Sequence, residues 1–330
     1  MKLQASSILY AVIVAVLVAL MSASLLLHAR LSERHVRIYR TQDRVLTNAS
    51  SGMELLLSEF TAVGLDAPQV VDLFDEAQDS VYLERRNWGI YEVAVSRAYF
   101  RNIQRERIAL VGYDLHEDSR IALYLADQNK PLSLCGNTEV RGTAFVPKAG
   151  VKRAYIEGQN YNGRQLIYGE QKQSSRQLPA LSSEMLASNR DYLNGVFRET
   201  DSVITFDELD IDTVAQSFAR PSLVVAESGP IDLLDGHYAG NIILISDESV
   251  FIGAGAELDG VLVYAPQITV EEGFTGRAQL FASARIAVGP SATLAFPSVV
   301  GLIKPEDGQE ETAIALSEAA TVRGIVFIRQ

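Results

Sequence analysis

The sequence predicts a mainly β protein with an α-helical N-terminus, in which a single transmembrane helix and a small α+β region precede a C-terminal parallel β-helix. Two observations support this fold class. About twenty apolar residues follow one another near the N-terminus, and apolar residues recur every 18 positions in the C-terminal third. A chain of 330 residues has room for two or three domains and can bury a substantial core.

The N-terminal segment has the length and composition of a membrane span. Between residues 3 and 29 the only ionisable side chains are those of Tyr10 and His28. At 1.5 Å per residue, about twenty apolar residues cross a hydrocarbon core about 30 Å thick. A cleaved signal peptide is the alternative, with Ser22-Ala23-Ser24 as its cleavage site. Its apolar region is normally about 7–15 residues long, whereas Leu25-Leu26-Leu27 prolong this one. We therefore expect an uncleaved, single-pass anchor whose partner is the lipid bilayer.

The charges beside the span bear on its orientation. Lys2 precedes the span, and five arginines follow it: Arg30, Arg34, Arg37, Arg40 and Arg44. Positive residues favour the cytoplasmic side, so charge alone places the body of the protein in the cytoplasm.

A second pattern favours the other side of the membrane. A short N-terminal tail and an apolar helix lead into Leu31-Ser32-Glu33-Arg34 and a small-residue stretch over 48–56. This order resembles the N-terminal helix of minor pilins and pseudopilins over roughly the first 60 residues. The family's Gly-Phe-Thr-Leu-Ile-Glu type of processing signature is replaced by Lys2-Leu3-Gln4-Ala5-Ser6-Ser7. The resemblance implies an inner-membrane protein with its body outside the cytoplasm, the orientation that we expect; the cytoplasmic one is the alternative.

Helical periodicity continues beyond the anchor. Apolar residues at spacings of three, four or seven form a stripe along one helix face: Val36, Tyr39, Leu46, Met53, Leu56 and Phe60. The stripe indicates either a helix packed on a sheet or a surface for a partner helix. Residues 88–95, 108–113 and 121–125 then predict strands, because they are rich in β-branched and aromatic residues.

The repeat gives the clearest architectural signal. Aliphatic residues at one repeat position are spaced by 18: Leu234, Ile252, Val270 and Val288. Leu316 fits the series if residues 305–311 belong to an insertion of about ten residues, and an earlier copy begins at Leu134. Eighteen residues make three faces of about six, which is one triangular coil of a β-solenoid with aliphatic side chains inside. The series therefore predicts a column of stacked side chains.

Over about 220–330 the period and residue classes resemble those of bactofilins, which are polymer-forming bacterial β-helices. The resemblance implies self-association, although bactofilins usually lack a long globular domain before the helix. The predicted organisation is a transmembrane anchor (1–29), a membrane-proximal helix (30–64), a small β-rich α+β region (65–131), first β-helix coils (132–172), an insertion (173–220) and the main β-helix (221–330).

The insertion over 173–220 has two interpretations. Ser182 followed by Ser183-Glu184-Met185-Leu186 has the pattern of a capped helix start, and residues 201–212 are acidic. Long insertions on solenoids often carry binding surfaces. A segment that caps the solenoid is the alternative.

Two classes of enzyme that use β-helices match the sequence poorly. Residues 252–257 and 288–293 resemble hexapeptide repeats of left-handed β-helix acyltransferases, which use a histidine as general base, but the hexads are interrupted. We therefore expect His237 to be an exposed turn residue. Enzymes that cleave polysaccharides cluster carboxylates on one face. The candidates here fall at different repeat positions, mostly corners, and the calcium-repeat pattern is missing: Asp232, Asp235, Asp247, Glu248, Asp259, Glu271 and Glu272.

Other chemistry is disfavoured as well. His28, His35 and His116 lack metal-ligand spacing, and the single cysteine, Cys135, is expected to be a small buried residue. No phosphate loop, dinucleotide fingerprint or nucleophile elbow occurs. A net charge of −12 argues against nucleic acid as a partner. The sequence thus predicts no catalytic, cofactor-binding or metal-binding residues.

These observations predict a non-enzymatic, membrane-anchored structural or assembly protein of the cell envelope, comparable to a minor pilin, that docks protein partners through its β-solenoid. The first alternative is a bactofilin-like scaffold on the cytoplasmic side that associates with copies of itself. The second is a β-helix enzyme that acts on glycans or acyl groups.

Overall fold

The computed structural model of the protein describes residues 4–58, 63–73, 80–112, 121–156, 158–178, 182–209, 213–304 and 313–329. Its first element is a single continuous helix, α1, which runs from Gln4 to Ser58. Residues 8–40 of α1 are exposed, and the helix is long and apolar enough to cross a membrane. Apolar residues with good helix propensity and the absence of proline over this stretch allow it to continue beyond the apolar part unbroken.

The C-terminal part of α1 packs on an antiparallel sheet. The sheet contains β1 Gln69–Asp72, β2 Ser80–Trp88, β3 Tyr91–Phe100 and β4 Ile103–Val111, in that order. Val45, Ala49 and Leu56 of α1 are buried against this sheet, where they meet Val81 and Leu83 of β2. Of the two interpretations of the apolar stripe, the structure shows the helix packed on a sheet, while Val36 and Tyr39 remain exposed. Phe60 lies outside the described residues.

The prediction of one strand over 88–95 was wrong. Strand β2 ends at Trp88 and β3 begins at Tyr91, so the segment contains a hairpin turn. Gly89 adopts a φ of 64°, which only glycine takes up without strain. Continuous β-propensity on both sides of Gly89 hid the turn.

A small parallel solenoid follows. The strands of this region are β5 Ile121–Tyr124, β6 Leu132–Leu134, β7 Thr143–Val146, β8 Val151–Arg153, β9 Tyr155–Ile156, β10 Gln159–Asn160 and β11 Gln171–Gln173. Strands β9 and β10 pair with each other in antiparallel orientation and stand apart from the parallel pairs. Strands β5, β7 and β11 form one parallel sheet, β6 pairs with β8 in parallel, and Arg141 bridges to Tyr168. The early repeat copy at Leu134 therefore does form coils, around a core that contains Ala144, Val146 and Ile167. Strand β5 joins them from the region assigned to 65–131.

The remaining elements form the main solenoid and its cover. They are α2 Ser183–Leu193, β12 Ser202–Ile204, β13 Thr213–Gln216, β14 Leu223–Glu227, β15 Ile231–Leu233, β16 His237–Gly240, β17 Ile242–Ser246, β18 Ser249–Ile252, β19 Glu257–Val270, β20 Thr275–Val288, β21 Thr293–Ile303, β22 Ala313–Leu316 and β23 Thr321–Arg329, with a 3-10 turn at Phe206–Glu208. The predicted cap of α2 is confirmed, since the Ser182 side chain accepts a hydrogen bond from the backbone N–H of Met185.

Strands β12 to β23 build three parallel faces, which confirms the predicted parallel β-helix. The first face stacks β12, β14, β17 and parts of β19, β20, β21 and β23. The second stacks β13, β16 and other parts of the same long strands, and the third stacks β15, β18, β19, β20 and β22. The sheet begins at Ser202, within the segment assigned to the insertion. Thr213 pairs with His237, which lies 24 residues later, so the 18-residue period did not reveal this coil.

The predicted column is confirmed for all but one residue. Ile252 pairs with Val270, Val270 with Val288, and Val288 with Leu316, so the insertion before Leu316 was correctly inferred. Leu234 was wrong. Leu233 pairs with Ile252, and Leu234 is 63% exposed. That coil is 19 residues long, and a shift of one residue turns a strand side chain to the opposite face.

Gly52 brings α1 into close contact with the sheet. A Cβ added there would lie 2.5 Å from Ser96 Oγ and 2.6 Å from Val81 Cγ1. We expect Gly52→Val to lower the free energy of unfolding by about 1–3 kcal/mol, because overpacking forces the helix from the sheet. Denaturant unfolding of the detergent-solubilised chain measures this. Thr47→Val, at an exposed position of α1, is the control, and equal midpoints for both variants would contradict the packing.

Candidate interaction surfaces

The outer side of the first solenoid face is buried inside the protein. The antiparallel sheet contacts α1 on one side and this face on the other, and α2 covers the face beside it. The buried residues of this second core are Trp88, Tyr91, Val93, Val95, Leu186, Tyr192, Val224, Ile243, Ile245, Leu262, Tyr264, Phe281, Val299 and Ile303. The first face therefore has an apolar core on both sides, and the outer sides of the second and third faces remain for other contacts.

A hydrogen-bond network fixes the β2–β3 hairpin on the solenoid. The side-chain oxygen of Gln279 accepts from the Ile90 N–H at 3.0 Å, and its amide nitrogen donates to the Trp88 carbonyl at 3.0 Å. The Asn189 amide of α2 donates to the Gly89 carbonyl at 3.0 Å, and Tyr264 donates its hydroxyl hydrogen to Asn189 Oδ1 at 2.8 Å. The hairpin, α2 and the solenoid thus share one buried polar network.

A row of aromatic rings extends this contact along the first face. Tyr192 of α2 stacks on Tyr264 with 5.4 Å between ring centroids, Tyr264 stacks on Phe281 at 5.1 Å, and Phe281 contacts Phe327 at 6.5 Å. Burial raises the pKa of both Tyr192 and Tyr264 above the ordinary tyrosine value. Both hydroxyls therefore keep their hydrogens at neutral pH, and Tyr192 donates to Asp201 Oδ2 at 3.0 Å.

Three arginines attach the flanking loops. Arg86 donates to the Phe218 carbonyl and Arg97 to the Ala219 carbonyl, so two strands of the antiparallel sheet hold the loop between β13 and β14. Arg198, after α2, donates to the Asn87 carbonyl at 3.4 Å. In the described residues, the segment 182–209 thus supplies intramolecular contacts. The sequence left open whether the insertion is a binding surface or a segment that caps the solenoid, because the amphipathicity of a helix does not identify what the helix covers.

A groove lies where β4 meets the corner between the second and first faces. It is open and has a volume of about 810 Å³. Its lining is mixed: Glu106, Ala215, Gln216, Ser217, Phe218, Ala219, Arg220, Ala239, Gly240, Asp259 and Gly260. Asp259 is engaged by Arg277 at 2.7 Å one coil further on.

His237 lies at the start of β16 on the second face. Its Nδ1 is 3.1 Å from a carboxylate oxygen of Glu257, whose side chain is largely exposed. His237 itself is half-buried in a strand, so the prediction of an exposed turn residue was wrong. This arrangement is a side-chain contact between adjacent coils at the protein surface, and contacts of this kind contribute little to stability.

The predicted carboxylates are spread over the solenoid surface. Asp232, Asp235, Asp247, Glu248, Glu271 and Glu272 are exposed, and Asp259 is half-buried. Glu271 accepts a hydrogen bond from the Ala254 N–H at 2.8 Å, which joins neighbouring coils. The part of the chain that the structure describes contains no group of three or more His, Cys, Asp or Glu side chains arranged to hold a metal ion.

The remaining sequence candidates are separate from one another. His28 and His35 are exposed on α1, and Cys135 is half-buried after β6 rather than fully buried. His116 lies outside the described residues. What sequence reasoning missed was Gln279 and Asn189, because an isolated polar residue within a repeat gives no sign of its partners.

Comparison with protein-family models, curated proteins and solved structures gives no significant match.

Gln279 should be essential for docking of the hairpin. We expect Gln279→Leu to lower the free energy of unfolding by about 1–3 kcal/mol, since it leaves the Trp88 carbonyl and the Ile90 N–H without their partner. Gln267→Leu is the matched control, because Gln267 is exposed on the outer side of the third face. Chemical unfolding followed by Trp88 fluorescence measures both. Unchanged stability of Gln279→Leu would refute this role.

Proposed function

We propose that the protein is a non-enzymatic, membrane-anchored structural or assembly protein of the cell envelope, which holds a β-solenoid at a defined position relative to the bilayer for protein partners. The observation that carries this proposal is the unbroken structural path from the apolar helix to the solenoid. Each part of that path is packed on the next.

The first part of the path is α1 itself. Its apolar stretch continues without a break into the segment that is buried on the sheet from Val45 onward. The helix between Leu27 and Val45 is about 27 Å long at 1.5 Å per residue. A helix of this kind supports the body at a distance from the membrane, whereas a flexible linker would leave its position undefined.

The second part is the antiparallel sheet, which is buried on both sides. Ala94 and Ala98 face α1, whereas Val93 and Val95, on the same strand, face the solenoid. Alternation along β3 therefore ties the helix core to the solenoid core through a single strand. Packed side chains therefore connect the solenoid to the anchor helix.

The proposed contact surfaces are the exposed outer sides of the second and third faces and the groove beside β4. On the two solenoid faces, the strands repeat regularly from coil to coil. Polar and charged side chains are dispersed over them, as in His237 with Glu257 and Asp259 with Arg277. Rigid, extended surfaces of this type suit protein docking. In the orientation that we propose, the body lies outside the cytoplasm at the inner membrane, as the similarity of α1 to minor-pilin helices implies.

Reporter fusions at Gln330 test anchoring and orientation together. In a bacterial host, we expect a reporter that is active only outside the cytoplasm to be active and to sediment with membranes. The same fusion without residues 1–29 is the control, and it should be inactive and released from membranes. Activity of a cytoplasm-only reporter at Gln330 would instead place the body in the cytoplasm.

A second candidate function, a self-associating scaffold, is supported by the C-terminal end of the solenoid. Val326 continues the inner column above Val300, yet it is 46% exposed whereas Val300 is fully buried. Leu316 and Ile328 are also exposed, at 48% and 37%. The last coil therefore presents apolar side chains and a strand edge that a second copy can cover.

This candidate predicts concentration-dependent association of the full chain in detergent. Val326→Lys should weaken association at least tenfold, because it places a charge in the contact. Thr269→Lys, on the exposed outer side of the third face, adds the same charge elsewhere and should have no effect. Analytical ultracentrifugation measures both variants. A wild-type chain that remains monomeric throughout would refute the scaffold.

A further inference from the structure

The exposed part of α1 carries a second chemical feature beside its apolar stretch. Arg30, Arg34, Arg37 and Arg40 follow at spacings of four, three and three residues, so they share one side of the helix. All four are exposed, and no ion pair joins them to another side chain within the described residues. Glu33, which is also exposed, lies on the same side of the helix, so residues 30–40 carry a positive strip of four arginines against one carboxylate in a chain with a net charge of −12.

The position of the strip limits what it can meet. Contacts of α1 with the sheet begin at Val45, so the arginines lie between the apolar stretch and the body of the protein. Side chains on a helix point toward its N-terminus, which here is the direction of the apolar stretch. The guanidinium groups are therefore directed back toward the surface of the bilayer that the anchor would enter.

Distances along the helix select three of the four residues. Arg34 and Arg37 lie about 6 and 10 Å beyond Arg30, at 1.5 Å per residue. The polar layer on each side of a bilayer is about 5–8 Å thick, and a long arginine side chain extends the reach further. Arg40 lies about 15 Å beyond Arg30 and is outside this range when the helix stands upright.

We propose that Arg30, Arg34 and Arg37 form a binding strip for the phosphate groups of anionic phospholipids. Each guanidinium has a planar set of donors that matches phosphate oxygens, and it stays charged at any physiological pH. The negative body is repelled by the same anionic surface. Attraction at the strip and repulsion of the body together keep α1 upright and the solenoid away from the bilayer. This inference rests on the proposed anchoring and adds the class of lipid.

The test uses the full chain reconstituted in vesicles with equal amounts of phosphatidylglycerol and phosphatidylcholine. After mild detergent extraction, mass spectrometry quantifies the lipids that remain bound. We expect about a fivefold preference for phosphatidylglycerol, which declines as salt is raised because surface charges are screened. Arg30→Gln, Arg34→Gln and Arg37→Gln combined should abolish the preference, and the corresponding three Arg→Lys changes should retain most of it.

A charge-matched control separates local binding from net charge. Lys130→Gln, Lys148→Gln and Lys152→Gln combined remove three exposed positive charges from the body and should leave the preference unchanged. Equal retention of both lipids by the wild type, or an undiminished preference in the arginine variant, would overturn the inference. The inference would also be overturned if the combined Arg→Gln variant lost oligomers that the wild type forms while its bound lipid stayed unchanged. The strip would then contact another copy of the chain.

Failure of the anchoring itself gives a different result. Flotation with vesicles of pure phosphatidylcholine depends on the apolar helix and not on the strip. A wild-type chain that floats but shows no lipid preference refutes the headgroup contact alone. A chain that does not float refutes the anchoring on which the inference rests.

Discussion

Parallel stacking of coils is the constraint on which the rest of this structure depends. Each strand inside the stack is paired through its backbone with the strands of the coils before and after it, and its inward side chains complete one apolar column. A single coil lacks these pairing partners and cannot bury its apolar side chains, so it is not stable alone. Differences in coil length are absorbed at the corners, where β19 and β20 contain register shifts, so that the inward positions remain aligned.

The first face shows how this stack organises the other elements. Its outward side chains are large and apolar, as with Ile243, Tyr264 and Phe281, so the face needs a cover. The antiparallel sheet and α2 provide it, and Gln279 and Asn189 satisfy the backbone groups of the hairpin that this contact buries. The sheet is thereby placed between the solenoid and α1. The sheet that covers the first face also packs on α1, and this shared sheet connects the apolar helix to the solenoid.

The surfaces left over differ in character along the molecule. Positive charge is concentrated on α1 next to its apolar stretch, dispersed charges cover the outer sides of the second and third faces, and exposed apolar residues occupy the last coil. For each of these surfaces we propose a different partner, namely lipid headgroups, other proteins and a second copy. The structural role that we propose uses the rigidity of the stack to keep these surfaces at fixed relative positions.

The sequence by itself determined the apolar helix, the parallel solenoid and the alignment of Ile252, Val270, Val288 and Leu316, because these features depend on periodic patterns within the chain. Only the tertiary structure decided that Leu233 rather than Leu234 enters the column, that Gly89 makes a turn, and that Gln279 and Asn189 hold the hairpin. Coil length depends on corner geometry, and a polar contact depends on a partner about 100 to 190 residues away. Neither is encoded in a local pattern.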